Sequence, residues 1–267
     1  MNKTVLITGG SSGIGKSCVH KYADEGYNVV FTGRNNDRIE EVISELNEKG
    51  VKNLGLKVDA ASREGAMEVV SKAIEAFGGV DVLICNAGIS MRALFEDVDL
   101  DVFEQVMQIN FTGAVYYVKY CLPHILKSKG SIVAISSING HRGTPARTAY
   151  TASKYAMEGF FEALRTEVMH RGVHVLVVSP GFTGTNIRNA ALTASGASQG
   201  ESPRVEGKMM TSDEVANAVY RGQLKRKRDI VLTTQGKMAV FLNKFIPATM
   251  DKIVYKVMAK EQDSPFR

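Results

Sequence analysis

The sequence predicts an α/β fold: one doubly wound, mostly parallel sheet of seven strands with helices on both faces. Short apolar, β-branched runs recur along the chain, at residues 4–8, 28–32, 53–58, 81–85, 131–136, 173–179 and 228–234. Between them lie longer segments with apolar residues three and four positions apart, and two of these, 38–50 and 63–78, end at glycine. This alternation is typical of βαβ units.

The pattern continues without a long linker, repeat or low-complexity tract, so we expect a single domain in the 267 residues. Residues 1–235 form the predicted nucleotide-binding and catalytic part, and 236–267 form a helical extension of it. Residues 186–210 are rich in Ala, Ser and Gly and predict a mobile substrate loop.

Composition narrows the class of protein. Hydrophobic residues make up 44% and charged residues 23%, as in ordinary globular proteins. The apolar run at the start is too short for a signal peptide, and no apolar stretch reaches the ~18 residues that span a bilayer, so we expect a soluble, cytoplasmic protein. The three cysteines and five histidines show no ligand or pairing motif, which predicts buried thiols and no metal site.

The formal net charge of +5 is concentrated late in the chain, where residues 221–267 hold eleven Lys+Arg against four Asp+Glu. The run KRKR at 225–228 lies between a predicted helix and strand. Such a run is usually a solvated turn, so we do not expect nucleic-acid binding.

A glycine-rich turn, TGGSSGIG at 8–15, follows the first predicted strand and opens a helix. Gly9, Gly13 and Gly15 allow a tight turn and close backbone approach, and the helix N-terminus favours a pyrophosphate. The turn has no G-K-[ST], so it favours a dinucleotide over ATP.

Tyr150 and Lys154 lie four residues apart in AYTASKYA. On a helix they share a face, where the ammonium would favour the phenolate and lower the tyrosine pKa. Because the same spacing also arises by chance, the pair needs support from other motifs.

Such support comes from several motifs found in order along the chain. They are TGGSSGIG, Asp59 after the third strand, NAG at 86–88, Asn110, Ser137, the Tyr150–Lys154 pair, and PG at 180–181. Together they resemble the short-chain dehydrogenase/reductase family over residues 4 to about 235. The resemblance implies a Rossmann-type fold and hydride transfer between a nicotinamide and a carbonyl or alcohol.

The resemblance also implies residue roles. Ser137 would bind the substrate oxygen, Tyr150 would exchange the proton, Lys154 would hold the ribose and lower the tyrosine pKa, and Asn110 would complete a proton path. Together with the glycine-rich turn and the end of the second strand, the predicted cofactor-binding residues are Gly9, Ser11, Ser12, Gly13, Ile14, Gly15, Arg34, Asn35, Asp59, Asn86, Ala87, Gly88, Tyr150, Lys154, Pro180, Gly181, Thr183 and Thr185. Many members have Asn where this chain has Cys85. We expect no loss of activity in this chain from that difference. His141 fits either a pocket wall or a solvated loop.

The end of the second strand bears on the choice of cofactor. NAD-specific folds place an acidic residue there to bind the ribose hydroxyls, and this chain has Gly33 instead, followed by Arg34 and Asn35. Both can contact a 2′-phosphate, so we expect NADP(H). The alternative is that Arg34 is only a solvated charge at the strand end.

The extension bears on the substrate. Reductases of carrier-bound 3-oxoacyl groups usually end soon after the seventh strand, whereas this chain continues and resembles the branch that holds hydroxysteroid dehydrogenases, ketosphinganine reductases and microsomal reductases. We therefore expect a hydrophobic carbonyl or alcohol substrate. A 3-oxoacyl-carrier reductase or a non-catalytic NADP(H) sensor or scaffold are the alternatives.

The extension has apolar stripes with lysines between them. Their apolar members are Phe241, Phe245, Met250, Ile253, Val254, Val257 and Met258. Such stripes fit packing in the core or against a partner, closure of the substrate pocket, or peripheral contact with a membrane. The helices near residues 100 and 150 resemble those that pair subunits in this family, so we expect a homodimer or homotetramer.

Overall fold

The computed structural model describes residues 2–200, 209–261 and 264–266. Its centre is a sheet of seven strands in the order β3-β2-β1-β4-β5-β6-β7, and every neighbouring pair is parallel. The strands are β1 (Thr4–Ile7), β2 (Asn28–Gly33), β3 (Asn53–Lys57), β4 (Val82–Cys85), β5 (Ser131–Ile135), β6 (His174–Ser179) and β7 (Asp229–Val231). The predicted doubly wound α/β sheet is confirmed.

Helices cover both faces of the sheet. They are α1 (Gly13–Asp24), α2 (Asn36–Glu48), α3 (Arg63–Phe77), α4 (Leu100–Met107), α5 (Gly113–Ser128), α6 (Thr148–Val168), α7 (Ser212–Leu224), α8 (Thr234–Phe245) and α9 (Pro247–Met258). The side chains of each strand alternate between the faces: Val5 and Ile7 join the core under α1, α2 and α7, whereas Leu6 joins the core under α3, α5 and α6. The sheet is therefore buried on both sides, as parallel sheets require.

Local sequence signals fix several helix ends. Ser62 caps α3 by accepting a hydrogen bond from the Gly65 amide, and the helix ends at Gly78 in the left-handed conformation. Thr211 and Glu214 form a reciprocal capping box at the start of α7. A π-helical segment, Gln108–Thr112, separates α4 from α5, and π segments are frequent at functional sites.

The strand order places the site. β1 pairs with β2 on one side and with β4 on the other, so the chain changes direction at this point of the sheet. In open α/β sheets the loops that leave the carboxyl ends of strands separate here and form a crevice for ligands. The loops after β1 and β4 carry the glycine-rich turn and the NAG sequence.

Part of the predicted mobile loop, residues 201–208, lies outside the described residues. Leu192, in the described part, donates a hydrogen bond to the Ser90 carbonyl and accepts one from the Arg92 amide. These contacts attach residues 186–200 to the loop after β4. Within the described ranges, the helices are all too short or too polar to cross a membrane.

Candidate active site

Two adjoining cavities open at the carboxyl ends of the strands. The first, of about 240 Å³, lies over the glycine-rich turn, and the second, of about 470 Å³, lies over the ends of β5 and β6. Both share the walls formed by Ile14, Asn86, Gly88, Thr185 and Ile187. The two cavities therefore form a continuous crevice, with the glycine-rich turn at one end and the Tyr150–Lys154 pair at the other.

The glycine-rich turn is packed tightly against the loop after β4. A β-carbon on Gly15 would overlap the carbonyl oxygen of Gly9 and the side-chain amide of Asn86. The Asn86 Nδ2 atom donates hydrogen bonds to the carbonyl oxygens of Thr8, at 3.0 Å, and Gly9, at 3.1 Å. Gly15 and Asn86 thus hold the turn in shape beside the cavity.

The same turn has the features that a pyrophosphate needs. Helix α1 begins at Gly13, and its N-cap residue, Ser12, makes no side-chain capping hydrogen bond. The amides of the first turn of α1 are therefore not occupied by a cap, and they adjoin the first cavity together with the positive end of the helix dipole. A dinucleotide phosphate fits these groups.

Most of the predicted site residues line the crevice. Those that do are Gly9, Ser11, Ser12, Gly13, Ile14, Arg34, Asp59, Asn86, Ala87, Gly88, Ser137, Tyr150, Lys154, Pro180, Gly181, Thr183 and Thr185. Gly15, Asn35 and Asn110 do not line either cavity.

Asn35 is occupied as a helix cap. Its side-chain oxygen accepts a hydrogen bond of 2.9 Å from the Arg38 amide at the start of α2. The Arg38 side chain lines the first cavity beside Arg34. Sequence reasoning missed Arg38, although its position one turn into a helix that starts after Arg34 was a usable signal.

Asn110 is fully buried in the π-helical segment. Its Oδ1 accepts from the Ile89 amide at 2.8 Å, and its Nδ2 donates to the Ile89 carbonyl and to Ser153 Oγ, both at 2.9 Å. Ser153 lies on α6 between Tyr150 and Lys154. Asn110 therefore joins the loop after β4 to the helix that carries the pair, and its role in a proton path remains a prediction.

Ser137, Tyr150 and Lys154 meet in the second cavity because β5 and α6 deliver them to one place. The Ser137 hydroxyl accepts a hydrogen bond from the Asn139 amide at 3.2 Å. The Lys154 side chain is only 4% exposed, its Nζ donates to the Ile135 carbonyl at 2.9 Å, and it lies 5.7 Å from the centre of the Tyr150 ring.

Burial controls both pKa values. It raises the pKa of Tyr150, against the opposing effects of the Ser137 hydroxyl and the Arg147 guanidinium. It lowers the pKa of Lys154 to about 8, against the attraction of Glu158. Arg147, which sequence reasoning missed, is thus a positive charge that favours the Tyr150 phenolate. The sequence predicted that Lys154 lowers the Tyr150 pKa; in the structure burial raises this pKa, and the groups that oppose burial are Ser137 and Arg147.

Arg147 is itself tied to the end of the chain. Its Nη2 atom lies 3.8 Å from the buried carboxylate of Glu261, and Arg92 Nη2 lies 3.7 Å from the same Oε2 atom. The chain beyond α9 therefore returns to the crevice and places a negative charge beside two arginines.

Helix α9 forms an apolar wall of the second cavity. Five of the seven apolar residues singled out in the extension line it: Met250, Ile253, Val254, Val257 and Met258. The other two, Phe241 and Phe245, do not line the cavity and are 61% and 69% exposed. The extension thus closes the pocket with one set of side chains and presents another to its surroundings.

Comparison with known proteins agrees with this geometry. The family model for short chain dehydrogenases matches residues 3–195. Dehydrogenase/reductase SDR family member 7B of Mus musculus is 36% identical over 98% of this chain and 83% of the mouse protein. A Drosophila melanogaster protein named dehydrogenase/reductase SDR family protein 7-like is 35% identical over 97% of this chain and 80% of its own length.

Solved structures show the same fold. An alcohol dehydrogenase from Thermococcus sibiricus, complexed with 5-hydroxy-NADP, is 25% identical, with a TM-score of 0.76 over 87% of this chain and 96% of its own. A 3-ketoacyl-ACP reductase from Sinorhizobium meliloti is 27% identical, with a TM-score of 0.77 over 88% of this chain and 99% of its own. This chain therefore belongs to the short-chain dehydrogenase/reductase family, whose members are oxidoreductases that act on CH–OH groups with a nicotinamide cofactor.

Proposed function

We propose that the protein is an NADP(H)-dependent reductase or dehydrogenase of hydrophobic carbonyls and secondary alcohols. One observation carries this proposal: the cavity that contains Ser137, Tyr150 and Lys154 is closed on another side by the apolar residues of α9. A substrate that reaches the polar residues with an apolar body beside α9 fits this cavity. Lipid-, steroid- or keto-acyl-like molecules fit this description.

Each polar residue has a task that follows from its position. The Tyr150 hydroxyl transfers a proton to or from the substrate oxygen, and the Ser137 hydroxyl, close enough to affect the Tyr150 pKa, binds that oxygen. Lys154 and Arg147 favour the phenolate of Tyr150 by their positive charge. A nicotinamide, when bound in the crevice, supplies or accepts the hydride.

The preference for NADP(H) rests on the first cavity. A β-carbon on Gly33 would overlap the Ser11 side chain, so the position that carries an acid in NAD-specific folds has no room for one. Arg34 and Arg38 line the same cavity. Two guanidinium groups favour a 2′-phosphate over a free hydroxyl.

The exposed side of the extension supports a further element of the proposal, contact with an anionic lipid surface. Met238, Phe241 and Phe245 follow one face of α8 and are exposed, and the rings of Phe241 and Phe245 lie 4.9 Å apart. Residues 234–260 contain five lysines and one aspartate. Apolar side chains beside lysines suit the headgroup region of a membrane, which would also supply hydrophobic substrates.

A homodimer or homotetramer remains our expectation for the assembly. Leu100 on α4 and Tyr155 on α6 are exposed apolar residues on the helices expected to pair subunits. Light scattering at micromolar concentration would test this: a monomeric mass would contradict the expectation.

Turnover tests the main proposal. Purified protein is mixed with NADPH and a panel of steroid, long-chain keto and aromatic carbonyl substrates, and cofactor oxidation is followed. Tyr150→Phe is the control: it removes the proton donor with little change in shape and should lower kcat by about 10² to 10⁴. If no substrate is reduced while NADPH binds normally, the sensor or scaffold alternative gains support.

A 3-oxoacyl-carrier reductase is the second candidate. The similarity to the Sinorhizobium meliloti 3-ketoacyl-ACP reductase favours it, and the apolar wall of α9 fits an acyl chain equally well. Including a 3-oxoacyl thioester both free and carrier-bound in the panel distinguishes the candidates. A higher kcat/KM for the carrier-bound form than for any free carbonyl would favour this one.

A further inference from the structure

A half-buried polar cluster lies behind the Tyr150–Lys154 pair, one helical turn beyond Lys154. The Glu158 carboxylate on α6 accepts a hydrogen bond of 3.2 Å from the Ser179 hydroxyl at the end of β6. The His141 Nε2 atom lies 3.0 Å from Ser179 Oγ and 3.4 Å from the same carboxylate oxygen. His141 is therefore neither a cavity wall nor a solvated loop residue but part of this cluster.

The chain encloses the carboxylate closely. A β-carbon on Gly140 would lie 2.9 Å from Glu158 Cγ and 3.0 Å from Oε1, so the turn after β5 rests directly against it. The His141 carbonyl, next in the chain, accepts a hydrogen bond of 3.0 Å from Asn243 on α8. Strand ends, catalytic helix and extension thus converge on one acidic side chain.

Lys154 needs a negative partner at this place. Its ammonium is buried, and the partners that the described part of the chain shows for it, the Ile135 carbonyl and the Met157 sulfur, are both uncharged. An uncompensated buried ammonium loses its proton readily. Glu158, four residues on and on the same helix face, is the carboxylate whose attraction opposes that loss.

We propose that Glu158 is the counter-charge of Lys154, held in place by His141 and Ser179. Glu158 acts through the lysine and is a positioning residue. The proposal rests on the proposed function only in the sense that Lys154 must be charged for proton transfer at Tyr150.

The other groups around Glu158 and Lys154 do not reverse the effect of Glu158 on the Lys154 pKa. Burial raises the pKa of Glu158, and Asp229 from β7 acts in the same direction, whereas Ser136, His141 and Ser179 lower it. The Tyr150 ring and the Cys85 thiol also face Lys154; burial raises the pKa of Cys85 to about 12, so the thiol is uncharged where Lys154 titrates. Loss of the Glu158 charge therefore makes Lys154 release its proton at a lower pH.

A direct titration of Lys154 tests the proposal without any substrate. The lysines are labelled with ¹³C at Cε, and the Lys154 signal is identified by its loss in Lys154→Arg. The midpoint of the Lys154 titration is then measured by NMR in the unsubstituted protein and in Glu158→Gln. We expect the midpoint to fall by about 0.5 to 1 pH unit. Glu158→Asp, which keeps the charge, should restore most of the shift.

Glu162→Gln is the matched control. Glu162 lies one turn further on α6, is exposed, and pairs with Arg228 at 2.7 Å, so its removal should leave the Lys154 midpoint unchanged. An unchanged midpoint in folded Glu158→Gln, or an equal fall in the control, overturns the proposal. NADPH turnover is measured separately, so its absence would count against the proposed function alone.

Discussion

The Nζ atom of Lys154 lies 5.7 Å from the centre of the Tyr150 ring and donates its hydrogen bond to the backbone carbonyl of Ile135. The lysine is thus fixed between helix α6 and strand β5, with its charge removed from water. This arrangement positions a cation beside the phenol, and its cost in stability can be measured.

The first prediction concerns stability. Burial lowers the folded-state pKa of Lys154 from 10.5 to about 8. Below pH 8 the side chain is therefore charged in both the folded and the unfolded state, and its charge is less favourable in the folded protein. The cost is full below the folded pKa and is relieved as pH rises toward 10.5. We expect Lys154→Met to raise the free energy of unfolding at pH 7 by about 1 to 3 kcal/mol.

The gain in the free energy of unfolding from Lys154→Met should shrink as pH rises from 8 to 10. The activity of this variant should be lost at every pH. Lys57→Met is the control, because Lys57 is exposed at the end of β3 and its replacement should change stability by less than about 0.5 kcal/mol. Denaturant unfolding at several pH values measures both. A destabilised Lys154→Met at pH 7 would mean that the hydrogen bond of Lys154 and its attraction to Glu158 together outweigh the burial of its charge.

The second prediction concerns Arg147. Its charge favours the Tyr150 phenolate, so Arg147→Gln should raise the Tyr150 pKa and move the alkaline rise of alcohol oxidation to higher pH. Arg147→Lys should restore much of the original profile. The matched control is Arg142→Gln: Arg142 also lines the cavity and also pairs with a carboxylate, Asp251 at 2.7 Å, but the arginine that acts on the Tyr150 pKa is Arg147. Equal shifts in Arg147→Gln and Arg142→Gln would show that the effect is not specific to Arg147.

Much of this architecture could be predicted because its signals are local. Seven apolar runs marked seven strands, since strands buried on both faces must be apolar throughout. The glycine-rich turn and the Tyr150–Lys154 spacing are also read from neighbouring residues. The last strand was predicted too long: Thr233 has a positive φ and caps α8, so β7 ends at Val231.

Contacts between distant parts of the chain could not be predicted in this way. The pairing of Arg147 with Glu261 and the meeting of His141, Glu158 and Ser179 join residues from separate elements. No local pattern marks such groups before the fold brings them together. The π-helical segment at Asn110 was hidden for another reason, because the apolar periodicity of residues 100–128 fits one continuous helix equally well.

The third prediction concerns cofactor choice. If Arg34 and Arg38 both contact the 2′-phosphate, each single change to Ala should lower the ratio of kcat/KM for NADPH to that for NADH by about 10-fold or more, since charge-assisted hydrogen bonds contribute ~1.5 to 3 kcal/mol. The double variant should lose most of the discrimination. Lys57→Ala controls for a general loss of positive charge nearby. Unchanged NADPH kinetics in both single variants, or a wild type that uses NADH equally well, would contradict the assignment.

The fourth prediction concerns the exposed side of the extension. Phe241 and Phe245 do not line the cavity, so Phe241→Ser with Phe245→Ser should leave kcat/KM for a water-soluble carbonyl unchanged. Binding to vesicles of phosphatidylserine and phosphatidylcholine should weaken by about 10- to 100-fold for each ring removed, because burying a phenylalanine contributes ~1.5 to 3 kcal/mol.

The control for that experiment is Met67→Ser on α3, a residue 54% exposed and outside the extension, which should bind vesicles like the wild type. Raising salt should weaken wild-type binding, since the lysines of α8 and α9 act through screened charge. Two outcomes would contradict the lipid contact. Either the double variant binds vesicles as tightly as the wild type, or it changes the oligomeric mass instead, which would show that the two rings pack against a second copy of the chain.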